Sequence, residues 1–187
     1  RYNVLTEYGT DLFTQGEDPG KQADAFNKYG SQLNPDASVL YEFWENHYKA
    51  INTANLVIQQ VEGSTSMSEV QKQVALAEMS FLRAFFYFEL VQQFGSIPLV
   101  LDVSFDVRTD FPRASVADIY NQIIKDLEYS VQYSPEKPAK TGKAAKYAAA
   151  HLLAKVYLTR GSAVSDQRGQ QPSDMENALK YAKMVID

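Results

Sequence analysis

The sequence has 187 residues, lacks cysteine altogether and contains only two histidines. The absence of cysteine excludes a disulfide scaffold, cysteine-based zinc sites and a thiol nucleophile. The histidines, His47 and His151, fall on different predicted helices and show no His-Glu-x-x-His spacing. A Gly-x-Ser-x-Gly nucleophile elbow is missing as well. We therefore expect no catalytic residues, no metal site and no cofactor.

Long apolar runs and clusters of basic residues are also absent. The most apolar stretch, Phe81 to Leu90, is interrupted by Arg83 and Glu89, so no run of about 18 apolar residues predicts a membrane-spanning helix. The net charge is −5. Nucleic-acid binding and polybasic membrane tethering both need clustered Lys and Arg, so we expect neither. The sequence opens on Arg1 without a leader, and we expect any signal segment to lie outside it.

The first part of the sequence is rich in turn-forming and acidic residues. Glycines and prolines recur at short intervals through residues 1–40 and break any long periodicity, although a short helix is predicted from about Ala23 to Tyr29. Glu7 lies among these turns, as does a group of four further acidic residues, Asp11, Glu17, Asp18 and Asp24. Their oxygens could bind Ca²⁺, but they lack the spacing of an EF-hand loop, so we interpret the segment as a solvated loop.

From residue 40 onward, apolar residues recur at intervals of three or four, which predicts helices. The predicted helices span about 41–61, 69–94, 115–132, 143–160 and 174–187. The fourth contains many alanines, which allow close approach of neighbouring helix axes. The fifth ends the sequence just after Val185 and Ile186, so we expect part of its apolar face to be exposed. The pattern predicts an all-α fold of degenerate tetratricopeptide-like helix pairs, an α-solenoid in a single domain over residues 1–187.

The second helix has the clearest local signals. Ser68 and Gln71 form a capping-box pair at its start, and Gly95 suits a positive-φ position at its end. Its wide apolar arc indicates a helix covered on more than one side, so we expect near-complete burial of three phenylalanines, Phe81, Phe85 and Phe88. The segment that follows, 99–107, is predicted to be extended or irregular. We expect its apolar side chains to point inward, together with the one just before it: Ile97, Leu99 and Leu101.

Polar residues inside the apolar helices predict structural roles. Arg83 must have its donors satisfied, and Glu78 lies on a different face of the same helix, so we expect its partner on another helix or a loop. Asn52 and Asn55 are poor helix formers, and we expect them to bond the backbone of a neighbouring loop. Trp44, the only tryptophan, has helical spacing on the apolar face, which favours packing over sugar stacking.

Four segments, taken in order, carry a resemblance to a known family. The first is Thr10-Asp11-Leu12-Phe13 with Gly16 and then Tyr29, and the second is Trp44, Tyr48, Ile51, Ala54 and Asn55. The third and most specific is Glu78, Phe81-Leu82-Arg83-Ala84-Phe85-Phe86-Tyr87-Phe88-Glu89-Leu90 and Phe94-Gly95-Ser96-Ile97-Pro98-Leu99. The fourth is Arg113, Ser115, Ile119-Tyr120, Ile123 and Asp126-Leu127, followed by Gly142-Lys143 and 149–158. Across nearly the whole chain, these segments resemble the SusD/RagB family of outer-membrane nutrient-binding lipoproteins.

The resemblance implies that this chain is the N-terminal, tetratricopeptide-like part of a longer protein, with the lipidated cysteine and the C-terminal half outside it. It also implies non-catalytic capture of an oligosaccharide at the extracellular face of the outer membrane. The captured glycan would pass to a SusC-like TonB-dependent transporter. We expect the glycan-binding residues of this part before and at the start of the first long helix. Tyr29 and Tyr41 offer aromatic faces there, and Asn34 and Asp36 can pair with hydroxyls.

Two other functions are compatible with the sequence. One is a helical-repeat scaffold that binds a protein partner without binding sugar. The other is a glycan-processing enzyme, whose carboxylate pair would be defined by a separation in space that sequence does not show. Exposed Tyr29 and Tyr41 near Asn34 would favour sugar binding, whereas a continuous apolar groove between helices would favour a partner helix.

Overall fold

The computed structural model describes residues 5, 7, 10, 20–30, 33–105, 110–138, 140–164 and 166–186. Its α-helices, in chain order, are α1 Gly20–Lys28, α2 Ser38–Glu62, α3 Glu69–Phe94, α4 Val116–Tyr133, α5 Lys146–Gly161 and α6 Asp174–Ile186, with a short 3₁₀ helix at Asp166–Arg168. Within the described ranges there is no β-strand, and one isolated antiparallel bridge joins Pro98 to Arg113. The all-α prediction is confirmed, and the predicted helices lie within about three residues of the observed bounds.

The chain forms two compact units, residues 1–48 and residues 49–187, which we call the N-terminal unit and the C-terminal unit. The N-terminal unit contains α1 and the beginning of α2. Its buried apolar side chains come from both helices and the turns between them, namely Ala25, Ala37, Val39 and Phe43. The C-terminal unit contains the rest of α2 and all later helices. The prediction of a single domain stays a prediction.

Local capping chemistry explains where the long helices begin and end. Ser68 and Gln71 form the predicted capping box, with the Gln71 side chain accepting from the Ser68 N–H at 2.9 Å and the Gln71 N–H bonding the Ser68 hydroxyl. At α4, the Asp118 N–H donates to the Ser115 hydroxyl at 3.1 Å. Gly95 ends α3 with φ +68°, a left-handed conformation that glycine adopts at little cost.

Successive helices of the C-terminal unit pack against each other in sequence order: α3 on α4, α4 on α5 and α5 on α6. Ala149 and Ala150 of α5 have no exposed surface, so this helix is tightly enclosed as predicted from its alanines. The inner face of α4 presents residues spaced by three or four, all with no exposed surface: Ile119, Ile123 and Leu127. These layers form one continuous apolar core.

The prediction for the phenylalanines of α3 is right for Phe88 and wrong for Phe81 and Phe85. Phe88 is 2% exposed, but Phe81 and Phe85 are only half-buried. The buried line of α3 follows the helical repeat through Ala77, Ala84, Tyr87 and Val91. Phe81 and Phe85 lie at the border of that line, where their rings stack on each other with centroids 6.5 Å apart.

The apolar side chains just after α3 differ from one another in burial, and those at the end of α6 are exposed. Ile97 is fully buried as predicted, but Leu99 is half-buried and Leu101 is 38% exposed, so the inward prediction is wrong for Leu101. Side chains on α2 and α3 hold this segment through its backbone, as described below, so its path does not require that Leu101 be buried. On α6, Val185 and Ile186 are 39% and 81% exposed, which confirms the expectation for its apolar face.

Phe88→Ala is expected to lower the free energy of unfolding by about 3–5 kcal/mol, because it removes a fully buried ring and leaves a cavity. Phe85→Ala is the matched control on the same helix, and its half-exposed ring is expected to contribute clearly less than Phe88. Denaturant unfolding monitored by circular dichroism measures both variants. Equal losses for the two substitutions would contradict the buried line described for α3.

Candidate functional site

The predicted glycan-binding residues all lie in the described part of the N-terminal unit, and all four are exposed. Tyr29 directly follows α1 and is 71% exposed, and Tyr41 lies near the start of α2 and is 64% exposed. Asn34 and Asp36 lie between them and are also exposed. The segment from α1 to α2 therefore presents two aromatic rings and two polar side chains at the surface.

Tyr29 has an uncommon backbone conformation. Its φ is +54°, in the left-handed region that L-residues with a large side chain rarely occupy. The Gly30 N–H donates to the Ala25 carbonyl at 3.0 Å, so Tyr29 occupies the position after a helix end that glycine usually fills. A left-handed residue of this kind costs on the order of 1 kcal/mol, and such strain is concentrated at binding and catalytic sites.

Consecutive turns connect Tyr29 to α2. The Leu33 N–H donates to the Gly30 carbonyl at 2.9 Å, and the Ala37 N–H donates to the Asn34 carbonyl at 3.1 Å. The Asp36 N–H donates to the Asn34 side-chain oxygen at 3.0 Å, which makes an Asx turn. The structure thus joins Asn34 and Asp36 in one turn. Beneath these turns, Ala37 is buried and anchors the segment.

The first turns of α2 give this segment a rigid aromatic base. The Phe43 and His47 rings stack with centroids 3.8 Å apart, and His47 Nδ1 lies 2.7 Å from the Phe43 carbonyl oxygen. Trp44 is half-buried and packs against Tyr48 with centroids 4.9 Å apart. The preference for packing over sugar stacking at Trp44 is consistent with these contacts.

In the C-terminal unit, the structure confirms that Arg83 is paired with residues of other helices. Its Nε and one terminal nitrogen donate to the two carboxylate oxygens of Asp126 on α4, both at 2.8 Å, and its other terminal nitrogen donates to Asn55 Oδ1 on α2 at 3.0 Å. Gln122 adds a 2.8 Å bond to Asp126. Burial tends to lower the pKa of Arg83, but the bonds to Asp126 and its charge outweigh this and raise it.

A second triad of the same composition, with a buried arginine and a buried aspartate, was not predicted from sequence. Arg160 of α5 donates through Nε and one terminal nitrogen to Asp174 of α6, at 3.0 and 2.6 Å, and through its other terminal nitrogen to Asn121 of α4 at 3.1 Å. Asp174 has no exposed surface and Arg160 is 5% exposed. The sequence feature that could have revealed it is an arginine inside an alanine-rich and leucine-rich helix. An arginine inside an apolar helix is also what indicated a buried pair at Arg83.

Asn52 and Asn55 bond a neighbouring loop as predicted. Asn52 exchanges two bonds with the backbone of Ser104, at 2.9 and 3.2 Å, and Asn55 Nδ2 donates to the carbonyls of Val100 and Asp102 at 3.0 and 3.3 Å. The Tyr87 hydroxyl also bonds the backbone of Val100. Burial raises the pKa of Tyr87 above its usual range, so its hydroxyl stays protonated. These side chains hold the irregular segment between α3 and α4 in place.

The described residues contain no group of three or more His, Cys, Asp or Glu side chains arranged to hold a metal ion. Of the acidic residues considered for Ca²⁺, Asp24 pairs with Lys28 at 2.8 Å. The other three, Asp11, Glu17 and Asp18, lie outside the described residues. In the part of the chain that the structure covers, no helix is long and apolar enough to cross a membrane.

The structure is that of an all-α protein, and the comparisons with known proteins give its family. A family model described as starch-binding and associating with the outer membrane matches residues 6–158. A SusD-like protein of Bacteroides ovatus is 36% identical over 150 residues, which is 77% of this chain and 27% of the relative. The chain belongs to the SusD-like family, and the resemblance noted from its sequence is confirmed.

Solved structures agree with this assignment. A SusD superfamily protein from Parabacteroides distasonis superposes with a TM-score of 0.82 at 27% identity, over 99% of this chain and 38% of its own. A protein solved with xylogluco-oligosaccharide superposes with a TM-score of 0.78 at 29% identity, over 100% of this chain and 37% of its own. The chain therefore spans roughly a quarter to two fifths of the length of the relatives it matches.

Asp126→Ala is expected to lower the free energy of unfolding by about 3–5 kcal/mol, because it leaves the buried Arg83 charge without its main partner. Glu78→Ala is the matched control, since it breaks the 2.8 Å ion pair with Lys143 at the surface, where such pairs contribute about 0–1 kcal/mol. Thermal and denaturant unfolding measure both. A loss below about 1 kcal/mol for Asp126→Ala would contradict the structural role assigned to this triad.

Tyr29→Gly is expected to stabilise the end of α1 by about 0.5–1 kcal/mol, because glycine relieves the left-handed strain and only part of this gain is offset by its greater freedom when unfolded. Amide exchange at Gly30, whose N–H closes this turn, measures the local effect and should slow about twofold to fivefold. Tyr41→Gly, inside α2, is the control and should speed exchange nearby. Unchanged or faster exchange at Gly30 in the Tyr29 variant would argue against strain there.

Proposed function

We propose that the protein binds oligosaccharides at the extracellular face of the outer membrane without breaking a bond, and that Tyr29, Asn34, Asp36 and Tyr41 belong to its glycan-binding surface. Membership of a family described as starch-binding supports the ligand class. The similar protein solved with xylogluco-oligosaccharide supports it as well. A non-catalytic role fits a family defined by binding.

The observation that carries the site assignment is the exposed and strained Tyr29. Its side chain is 71% exposed, and its backbone is held in a costly conformation. An aromatic ring presented in this way can stack on the apolar C–H face of a pyranose. The exposed Asn34 and Asp36 supply an amide and a carboxylate, which pair well with sugar hydroxyls.

Exposure of both tyrosines favours sugar binding over a scaffold that binds only protein. Tyr41 is 64% exposed and lies on the first turns of α2, one helical turn beyond the buried Ala37. A rigid helix beneath a ring reduces the freedom that the ring loses when a sugar binds, which improves affinity. Exposure of Tyr29 and Tyr41 is the feature expected from the sequence to favour a glycan.

We further propose that the bound glycan passes to a SusC-like TonB-dependent transporter, and that a lipid anchor outside this sequence attaches the protein to the membrane. The family description, which includes association with the outer membrane, supports the location. Purification of the protein from outer membranes with mild detergent tests the partner. Co-purification of a TonB-dependent transporter is the expected result, and recovery of the protein alone at every detergent concentration would contradict it.

Tyr29→Ala and Tyr41→Ala are each expected to weaken oligosaccharide binding about tenfold, because each removes one stacking surface. Isothermal titration calorimetry with malto-, laminari- and xylogluco-oligosaccharides measures the dissociation constants. Tyr147→Ala is the matched control, since Tyr147 is a partly exposed tyrosine on α5 in the C-terminal unit. If both variants fold and bind as tightly as the parent, the site does not include these residues.

A further inference from the structure

A second concave surface lies in the C-terminal unit, between the last turns of α2 and the helices α3 and α4. Its volume is about 530 Å³, within the range of small-molecule sites in proteins. Apolar side chains from three elements form part of the wall, namely Ile58, Leu76 and Leu101. We call this surface the α2–α4 cleft. None of the residues proposed for glycan binding in the N-terminal unit contributes to it.

The floor of the α2–α4 cleft contains a guanidinium group with unused hydrogen-bond donors. Arg83 lines the cleft and is 9% exposed. Asp126 and Asn55 together occupy three of its five N–H groups, which leaves two that bond no other described residue. A buried donor without an acceptor costs free energy, so these N–H groups need an oxygen from water or from a ligand. The cleft is the space from which that oxygen can come.

The rim of the cleft carries polar groups that are also available. Glu62, Lys125 and Gln132 line it and are exposed, and their side chains form no hydrogen bond or ion pair with any other residue that the structure describes. Gln122 uses its amide nitrogen on Asp126, so its side-chain oxygen is left to accept another bond. Donors and acceptors therefore face the same space from the floor and from the rim.

An aromatic ring completes the lining. Tyr129 is half-buried and packs against Tyr133 with ring centroids 4.6 Å apart, which fixes its orientation. Burial, and then the charges of Tyr133, Glu62 and Glu69, raise the pKa of Tyr129, so its hydroxyl remains a donor at and above neutral pH. The ring adds a flat apolar surface to a cleft that is otherwise rich in hydrogen-bonding groups.

The charges of the lining disfavour an anionic ligand. Two cationic groups, Arg83 and Lys125, face three carboxylates, Glu62, Asp126 and Glu128. An anionic ligand would therefore meet more negative than positive charge. A molecule with one apolar face and an edge of hydroxyl groups matches the Tyr129 ring, the aliphatic wall and the amide and guanidinium donors together.

We propose that the α2–α4 cleft is a second saccharide-binding site that takes a neutral sugar ring, with Arg83, Lys125 and Gln132 bonding its hydroxyls and Tyr129 against its C–H face. The choice of a saccharide as the ligand rests on the glycan-binding function proposed above. The cleft itself rests on different residues, which belong to the C-terminal unit.

Amide NMR spectra of the ¹⁵N-labelled protein, titrated with cellobiose, xylogluco-oligosaccharide and glucuronic acid, test the proposal. We expect the two neutral probes to shift the amide signals of Lys125 and Gln132 and the side-chain signals of Gln122. Glucuronic acid is expected to shift them at least several-fold less at the same concentration. No shift at these positions with either neutral probe, or stronger binding of glucuronic acid, would overturn the proposal.

Gln132→Ala and Lys125→Ala are expected to weaken binding at the cleft about threefold to tenfold each, the usual effect of one lost hydrogen bond to a ligand. Gln60→Ala and Lys183→Ala are matched controls, since both residues are exposed on helices and neither lines the cleft. Binding unaffected by either cleft substitution would overturn the site.

The same titration separates this proposal from the function proposed for the N-terminal unit. Shifts at Tyr29 and Tyr41 without shifts in the cleft would support the first site and reject the second. Shifts in the cleft that persist in Tyr29→Ala and Tyr41→Ala, with no response at Tyr29 or Tyr41, would support the cleft and reject the first site. If no neutral sugar moves either set of signals, both proposals are wrong.

Discussion

The packing of the C-terminal unit depends on a positive charge that lies inside its helices. The Arg83 guanidinium is bound by Asp126 from α4 and by Asn55 from α2, so one group connects three helices. Hydrophobic burial has no direction, whereas a bidentate arginine–carboxylate pair has a fixed geometry. The apolar residues of these helices supply most of the stability. We interpret the triad as favouring the register seen here, because a slip would leave a buried charge unpaired.

The same interaction occurs a second time, two helices further along. Helix α4 contributes Asp126 to the first triad and Asn121 to the second, in which Arg160 of α5 binds Asp174 of α6. In each triad the asparagine, the arginine and the aspartate come from three consecutive helices. The helix pairs follow no fixed sequence period. They nevertheless repeat the same contact among an asparagine, an arginine and an aspartate. This explains how a degenerate solenoid keeps a regular order of packing.

The helices could be predicted from sequence because their signals are local: spacing of three or four, capping serines and glycines, and prolines that stop a helix. The burial of individual side chains within a helix was harder to predict, as Phe85 shows. The residues around Phe85 in the sequence predict an apolar stripe, but only the packing of the adjacent helices decides where that stripe ends. The partner of Arg83 could be expected to lie on another helix, yet the identity of Asp126 as that partner depends on long-range packing.

The left-handed backbone of Tyr29 had no sequence signal, since glycine is the residue that usually marks such a position. The α2–α4 cleft is formed by residues far apart in sequence, and so it appears only in three dimensions.

The irregular segment between α3 and α4 has a consequence for how such a protein can diverge. Asn52, Asn55 and Tyr87 hold this segment through its backbone carbonyl and N–H groups. Every residue except proline offers the same backbone groups, so these bonds do not depend on which side chains the segment carries. Its exposed positions, such as Leu101 and the 79% exposed Phe105, can therefore change identity while the path of the chain is kept. Three helical residues thus hold the path of this segment through its backbone, and its exposed side chains are left open to natural variation.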